Sequence, residues 1–312
     1  ANERDQRIEE WKNYWKCLED NNMDPSKYMD VVGNHDVYGD EGNPHFLNYS
    51  MMGKTYKTTQ VALERHFSFG DYAFIGLHTA EEYGAQYPFG LFGYLSTEEL
   101  DWYEAQLETY QEYEKVFAFG HHPPYEVNWF ARSSSGKTFF NLNDEHGTDA
   151  YFVGHGHMNT YQRINELQAI ETTRFDEDGG TYRIVAIDKG ELSTSIENVG
   201  RWPQGIITTP TSQEYMIKDD QEANSIRVLA WDPEGVTSVK WSAYSPDGKK
   251  RIVEGDYLEP VLNGQPLWKG DSEGLDEQIS DSGANSCEIR IEITGGSGKT
   301  VRTVKYSSKK PP

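Results

Sequence analysis

Gly33-Asn34-His35-Asp36 follows the apolar run Tyr28 to Val32. The run is short enough to be one strand, and a buried strand ending in an amide, an imidazole and a carboxylate is delivering ligands. Two later stretches repeat the arrangement: Val116 to Phe119 runs into Gly120-His121-His122-Pro123-Pro124, and Ala150 to Val153 runs into Gly154-His155-Gly156-His157. Five of the nine histidines sit in these three places. Imidazole nitrogens and an amide oxygen gathered at the carboxyl ends of parallel strands suit a borderline divalent ion such as Mn, Fe or Zn.

In that order, the three tetrads resemble the motifs of the calcineurin-like metallophosphoesterase superfamily, and the resemblance covers residues 1–204. It implies an α/β fold with a β-sandwich core and flanking helices in αββα layers. It also implies hydrolysis of phosphate mono- or diesters by a hydroxide that bridges two divalent metal ions. Carried over residue by residue, it implies that Asn34, His121 and His155 hold one ion and His157 the other. His35 would protonate the departing alkoxide as general acid, and Asp36 would brace the loop of its tetrad. His122 stands between a substrate contact and a structural role.

The family pattern places an Asp-x-His and a Gly-Asp-x-x-Asp strand end upstream of the Asn-His tetrad, supplying the first metal's ligands and the bridging carboxylate. Neither occurs upstream of Asn34 in this sequence. No histidine precedes His35, while Asp5, Asp20, Asp24 and Asp30 fall on the expected first helix, in its exit loop or within the strand after it. Asp144-Glu145-His146 matches Asp-x-His by letter, but in an expected loop between the second and third motifs. Two expectations compete. The favoured one is that the chain is the downstream part of a longer protein. The alternative is a degenerate relative that holds half a site and acts as an extracellular or cell-surface binding protein.

Composition narrows the substrate. With 51 acidic against 29 basic side chains, the formal charge of -22 repels a polyphosphate backbone and argues against nucleic acid. A small phosphate ester stays compatible, because bound metal ions would supply the local positive field. A chain of 312 residues is long enough for two domains. Cys17 and Cys287 read as isolated thiols. No apolar run approaches the ~20 residues of a membrane span, and no signal peptide is present. An extracytoplasmic location is the lean, drawn from the start at Ala1 and the sandwich described next.

Along the chain, Ile8, Trp11, Trp15 and Leu18 set a helical period over Glu3 to Asp20, the helix of a βαβ unit whose second strand is Tyr28 to Val32. Val37 to Lys57 and Asn128 to Asp149 have no period and read as loops. Arg65 to Phe69 and Tyr72 to Leu77 flank a Gly70-Asp71 turn. Gly84 to Tyr94 is an aromatic, Gly-rich loop. Ser96-Thr97-Glu98-Glu99 matches a capping box ahead of a stripe of Leu100, Tyr103, Leu107 and Tyr110. Asn165 to Thr172 and Thr181 to Asp188 read as strands on either side of one turn. Gly205 to Thr211 reads as a linker, beyond which period-two patterns such as Val239-Trp241-Ala243 and Cys287-Ile289-Ile291-Ile293 predict an immunoglobulin-like all-β sandwich over residues 205–312. Trp231, Trp241 and Trp268 make that sandwich a candidate surface for a protein or glycan partner.

Overall fold

The computed structural model describes residues 6–40, 42–80, 92–128, 130–176, 179–216, 224–262 and 264–309. Most of the aromatic stretch from Gly84 to Tyr94 lies outside them. Contacts divide the chain into two units, Ala1–Arg174 and Phe175–Pro312.

The first unit holds α1 (Ile8–Asp20), α2 (Asn34–Val37), α3 (Pro44–Tyr49), α4 (Met51–Tyr56), β1 (Val61–Phe67), β2 (Gly70–Gly76), α5 (Thr97–Thr109), β3 (Lys115–Phe119), α6 (Phe139–His146), β4 (Ala150–Val153), β5 (Thr160–Ile164) and β6 (Leu167–Glu171). Its strands form one six-stranded sheet in the order β1-β2-β3-β4-β6-β5. The four central strands run parallel, and β1 and β5 pair antiparallel at the edges. Helices α5 and α6 make the crossovers from β2 to β3 and from β3 to β4, as parallel neighbours require. Ser96 Oγ accepts from Glu99 N at 3.0 Å to cap α5, whose Leu100, Tyr103 and Leu107 bury against Ala73, Ile75, Val116, Ala118 and Tyr151 of one sheet face.

Three sequence expectations fail in this unit, each for a local reason. Tyr28 to Val32 is irregular rather than a strand: Asp30 caps α4 by accepting from Met51 N at 2.7 Å and Met52 N at 2.9 Å, so this segment is fixed by a side chain and not by a ladder. The loop expected at Val37 to Lys57 contains α3 and α4, the first started by Pro44 and the second capped by Ser50 Oγ. The loop expected at Asn128 to Asp149 contains α6, bounded by a Thr138–Asn141 capping box and a left-handed Gly147, with Phe139 and Leu142 buried. Asp144-Glu145-His146 therefore lies in a helix. Of the two facing sheets implied by the resemblance, the described residues of this unit form one.

The second unit holds β7 (Thr181–Asp188), β8 (Glu191–Asn198), β9 (Gln204–Thr209), β10 (Ser225–Trp231), β11 (Val236–Tyr244), β12 (Arg251–Val253), β13 (Glu259–Pro260), β14 (Leu267–Asp271), α7 (Leu275–Asp281), β15 (Cys287–Gly295) and β16 (Gly298–Tyr306). Two four-stranded antiparallel sheets, β13-β14-β10-β9 and β12-β11-β15-β16, share a core. The period-two stretches pair in register, Val239 with Ile293, Trp241 with Ile291 and Ala243 with Ile289, all buried.

Gly205 to Thr211 is not a linker, because its first residues form β9, where Ile206 and Ile207 are buried. The division by contacts also precedes the 204–205 boundary drawn from the sequence. Asp188 at the end of β7 accepts from Thr208 and Thr209 of β9 and pairs with Arg227 of β10, which joins the β7–β8 hairpin to the sandwich. The strands Leu167–Glu171 and Thr181–Asp188 thus pair with β5 and β8 and not with each other. Cys17 and Cys287 are both free.

Ile291 is fully buried between the sheets. Ile291→Ala is expected to cost the second unit about 2–5 kcal/mol by lost burial and the cavity left behind. Exposed Glu292→Ala on the same strand should cost under about 0.5 kcal/mol. Urea denaturation of both variants tests this, and equal losses would contradict the register.

Candidate metal centre

Parallel strands send their carboxyl ends to one edge of the sheet, and the loops beyond them stay in register for another residue. Leu77 N donates to Phe119 O at 2.8 Å, Gly120 N to Phe152 O at 3.1 Å and Gly154 N to His121 O at 3.1 Å. His78-Thr79 after β2, His121-His122 after β3, His155-Gly156-His157 after β4 and Glu171 closing β6 are therefore brought to the same edge. Ligand sites in open α/β sheets lie there for this reason.

Asn34 reaches this edge from the first turn of α2. Its Nδ2 donates to Tyr38 Oη at 3.0 Å, which turns Oδ1 toward His121 Nε2, 2.8 Å away. His155 Nδ1 lies 3.1 Å from the same His121 nitrogen. Asp36 Oδ2 accepts from Gly33 N at 2.9 Å and closes the tetrad. Glycine leaves room where backbone and side chain crowd: a Cβ on Gly120 would stand 2.2 Å from Tyr151 Oη, and one on Gly156 would stand 2.3 Å from Glu171 Oε1. His155 and His157 both adopt left-handed backbone, with φ of 70° and 54°. Such conformations cost on the order of 1–3 kcal/mol each and persist where the surroundings over-determine them.

Thr79 fixes the tautomer of His122. Its Oγ1 accepts from His121 N at 3.1 Å and His122 N at 3.2 Å, which uses both of its acceptor positions, so the hydroxyl proton goes to His122 Nδ1 at 3.0 Å. The ring proton of His122 then sits on Nε2, which is buried without a hydrogen-bond partner. One nitrogen from each of His121, His122 and His155 falls within a 4.8 Å cluster. In this tautomer, which Thr79 fixes, His122 offers the cluster an N–H and no lone pair, so the donors for a cation are Asn34 Oδ1, His155 Nδ1 and, once its proton has moved from Nε2 to Nδ1, His121 Nε2.

Electrostatics keep the imidazoles in the form that binds metal. Burial, then the neighbouring rings of His122 and His155, push His121 well below its usual range, and burial followed by His155 pushes His122 down to about 3. Burial and then Glu171 raise Glu126. Burial raises Asp36 to about 6 against the opposing Gly33 N–H. Three such donors around a tetrahedral ion stand ~3.4 Å apart. The separations of 2.8 and 3.1 Å therefore fit an ion after a few tenths of an ångström of widening.

Of the residues singled out by sequence, Asn34, His121 and His155 converge and His122 packs against them. His157 is exposed; its carbonyl accepts from Thr173 Oγ1 at 2.8 Å, and its ring is among the groups facing His121. His35 is half-buried, its ring 5.2 Å from that of Tyr38, and it too faces His121. Thr79, Glu126 and Glu171 belong to no motif that sequence reasoning singles out. The one usable signal was position, since Thr79 and Glu171 close strands parallel to those that carry the histidines.

These features define an α/β protein with a histidine-rich polar site at the carboxyl edge of its sheet, followed by an antiparallel β-sandwich. No family model matches the chain. Over 248 residues it is 25% identical to transmembrane protein 62 of Mus musculus, covering 74% of this chain and 37% of that protein. The chain thus spans little more than a third of that relative, and among the described residues no helix is long and apolar enough to cross a membrane. Similar solved structures include a Staphylococcus aureus protein provisionally named a 5'-nucleotidase, at 16% identity and a TM-score of 0.27 over 44% of this chain and 28% of that one. Another is GAP50, the anchor in the inner membrane complex of Plasmodium, at 11% identity and a TM-score of 0.29 over 99% of this chain and 86% of that one.

His78, beside the cluster, has its Nε2 3.1 Å from Asn43 Nδ2 and is pushed down to about 4 by burial. Between that value and 6.5 the unfolded chain binds a proton that the folded chain refuses, so stability is full above pH 6.5 and falls toward pH 4. Asp36, raised to about 6, works with the opposite sign over part of this window. His78→Asn should therefore flatten the dependence of unfolding free energy on pH by up to about 1.4 kcal/mol per unit. Denaturant melts of both proteins from pH 7 to 4 measure the difference, and parallel curves would show that the folded His78 titrates as it does in water.

Proposed function

We propose that the carboxyl-edge site belongs to a metal-dependent phosphoester hydrolase acting on small phosphate mono- or diesters. The observation that carries the reading is the convergence of Asn34 Oδ1, His121 Nε2 and His155 Nδ1, contributed by three separate segments, with separations of 2.8 and 3.1 Å. Neutral imidazoles and an amide oxygen form a donor set for Mn, Fe or Zn. When bound, two such ions supply the Lewis acidity that activates water and polarises the phosphoryl oxygens.

Asn34, His121 and His155 would hold one ion, and His157 would serve the other, whose Asp, His and bridging carboxylate motifs do not occur upstream of Asn34 in this sequence. The residues present act around them. Asp36 holds the tetrad closed through Gly33 N, which keeps the Asn34 amide aimed at His121. His35 gives its ring proton to the departing alkoxide. The buried Nε2–H of His122 is a donor for a substrate oxygen that enters the cluster. The site and sandwich are read as working outside the cytoplasm, with the sandwich as a surface for a protein or glycan partner.

Inductively coupled plasma mass spectrometry on protein purified without added metal or chelator is the first test. Two ions per chain are expected if partner ligands are present in the whole molecule, and Asn34→Ala should remove at least one. One ion or none, at an intact mass of 35.7 kDa, favours a half-site whose role is binding. In the active protein, His35→Ala should lower turnover of esters with poor leaving groups by about 10²–10⁴, and of nitrophenyl esters far less. An equal loss for both kinds of ester would remove His35 from the acid role.

A further inference from the structure

We propose that Glu126 is a positioning residue that fixes the tautomer of His155, and so the nitrogen His155 presents to a cation; this rests on the metal-centre reading above. His121 Nε2 carries the proton shared toward Asn34 Oδ1, which accepts it at 2.8 Å, so His155 Nδ1, 3.1 Å from that N–H, faces it as an acceptor. A neutral ring with a bare Nδ1 carries its proton on Nε2. Glu126 Oε2 stands 3.3 Å from that nitrogen.

The carboxylate is well placed to hold the ring. Pro123 and Pro124 restrict the backbone ahead of it, and the short 3-10 turn Pro124–Glu126 is fastened by Glu126 N donating to Pro123 O at 3.0 Å and Gly93 N donating to Glu126 O at 2.8 Å. Glu126 Oε2 is buried and has no completed hydrogen bond in this arrangement. Small rotation of the His155 ring gives Glu126 its donor. A carboxylate behind a histidine ligand sets the ring's orientation and raises its basicity, and losing such a partner weakens metal binding 10–100-fold. Glu126 stands at Nε2 of His155 while Nδ1 faces His121, so it acts through His155 and not as a ligand itself.

The test has a metal-free and a metal-loaded arm on the same chain. In chelator-treated protein, long-range ¹H–¹⁵N spectra of the histidine rings should show His155 as the Nε2–H tautomer. Glu126→Gln should preserve it, because the amide oxygen still accepts, and Glu126→Ala should give a mixture. In competition titrations with Co²⁺, Glu126→Ala should bind 10–100-fold more weakly, and Glu126→Gln within a few-fold of wild type. An Nδ1–H tautomer in the unaltered protein would overturn the proposal even if neither variant folded. So would wild-type Co²⁺ affinity in Glu126→Ala, or an equal loss in Glu126→Gln, which would mark the charge and not the hydrogen bond as the active property. His155→Ala separates the two readings: if it keeps wild-type affinity, the metal centre itself is wrong, whatever Glu126 does.

Discussion

Burying imidazoles beside one another is the constraint on which the first unit is arranged. Each ring at the sheet edge loses water and is penalised for carrying charge, so His121, His122 and His78 are all held neutral. A neutral ring must place one donor and one acceptor, and the fold spends specific groups on that requirement. Thr79 serves two backbone amides and the His122 ring at once, while Asn43 meets His78. The parallel sheet makes this feasible because it delivers strand ends side by side in fixed register. The glycines at 33, 120 and 156 give the room in which rings and carboxylates approach backbone.

Elements whose signals come from burial were legible in the sequence. The alternation of Val239, Trp241 and Ala243 against Cys287 to Ile293 follows from a two-faced sheet, and the stripe of α5 follows from packing on a flat one. What escaped was set by single side chains acting across the chain. Asp30 lies 21 and 22 residues before the two amides it caps, so neither the loss of the Tyr28 to Val32 strand nor the start of α4 could be read locally. Helix α6 is too short for periodicity to announce, and only its cap and Gly147 mark it. β9 looked like a linker because Gly205 and its flanking prolines resemble one, yet its isoleucines are core.

The site divides in the same way. Ligand types at strand ends are visible because Gly and His stand out against an apolar run. The residues that decide how those ligands behave are common types in unremarkable places. Thr79, Glu126 and Glu171 carry no motif, and they matter through distances that only the register of β2, β3, β4 and β6 creates. His122 shows the consequence. Its spacing and proximity place it with His121 and His155, but the hydrogen bonds at Thr79 give it the wrong tautomer for a ligand and the right one for a donor.

Charge then explains why such a site needs an ion to meet an anion. The chain's net charge of -22 opposes any phosphate ester at long range. Two lysines of the first unit are already committed, Lys115 to Asp149 at 2.7 Å and Lys137 to Glu104 and Glu145 at 3.0 and 2.9 Å. The residues gathered at the sheet edge add neutral rings, an amide and two glutamates, and the field they produce is not positive. A phosphate bound there draws its counter-charge from metal, so the same neutrality that favours the ligands for a cation makes the cation a precondition for the substrate.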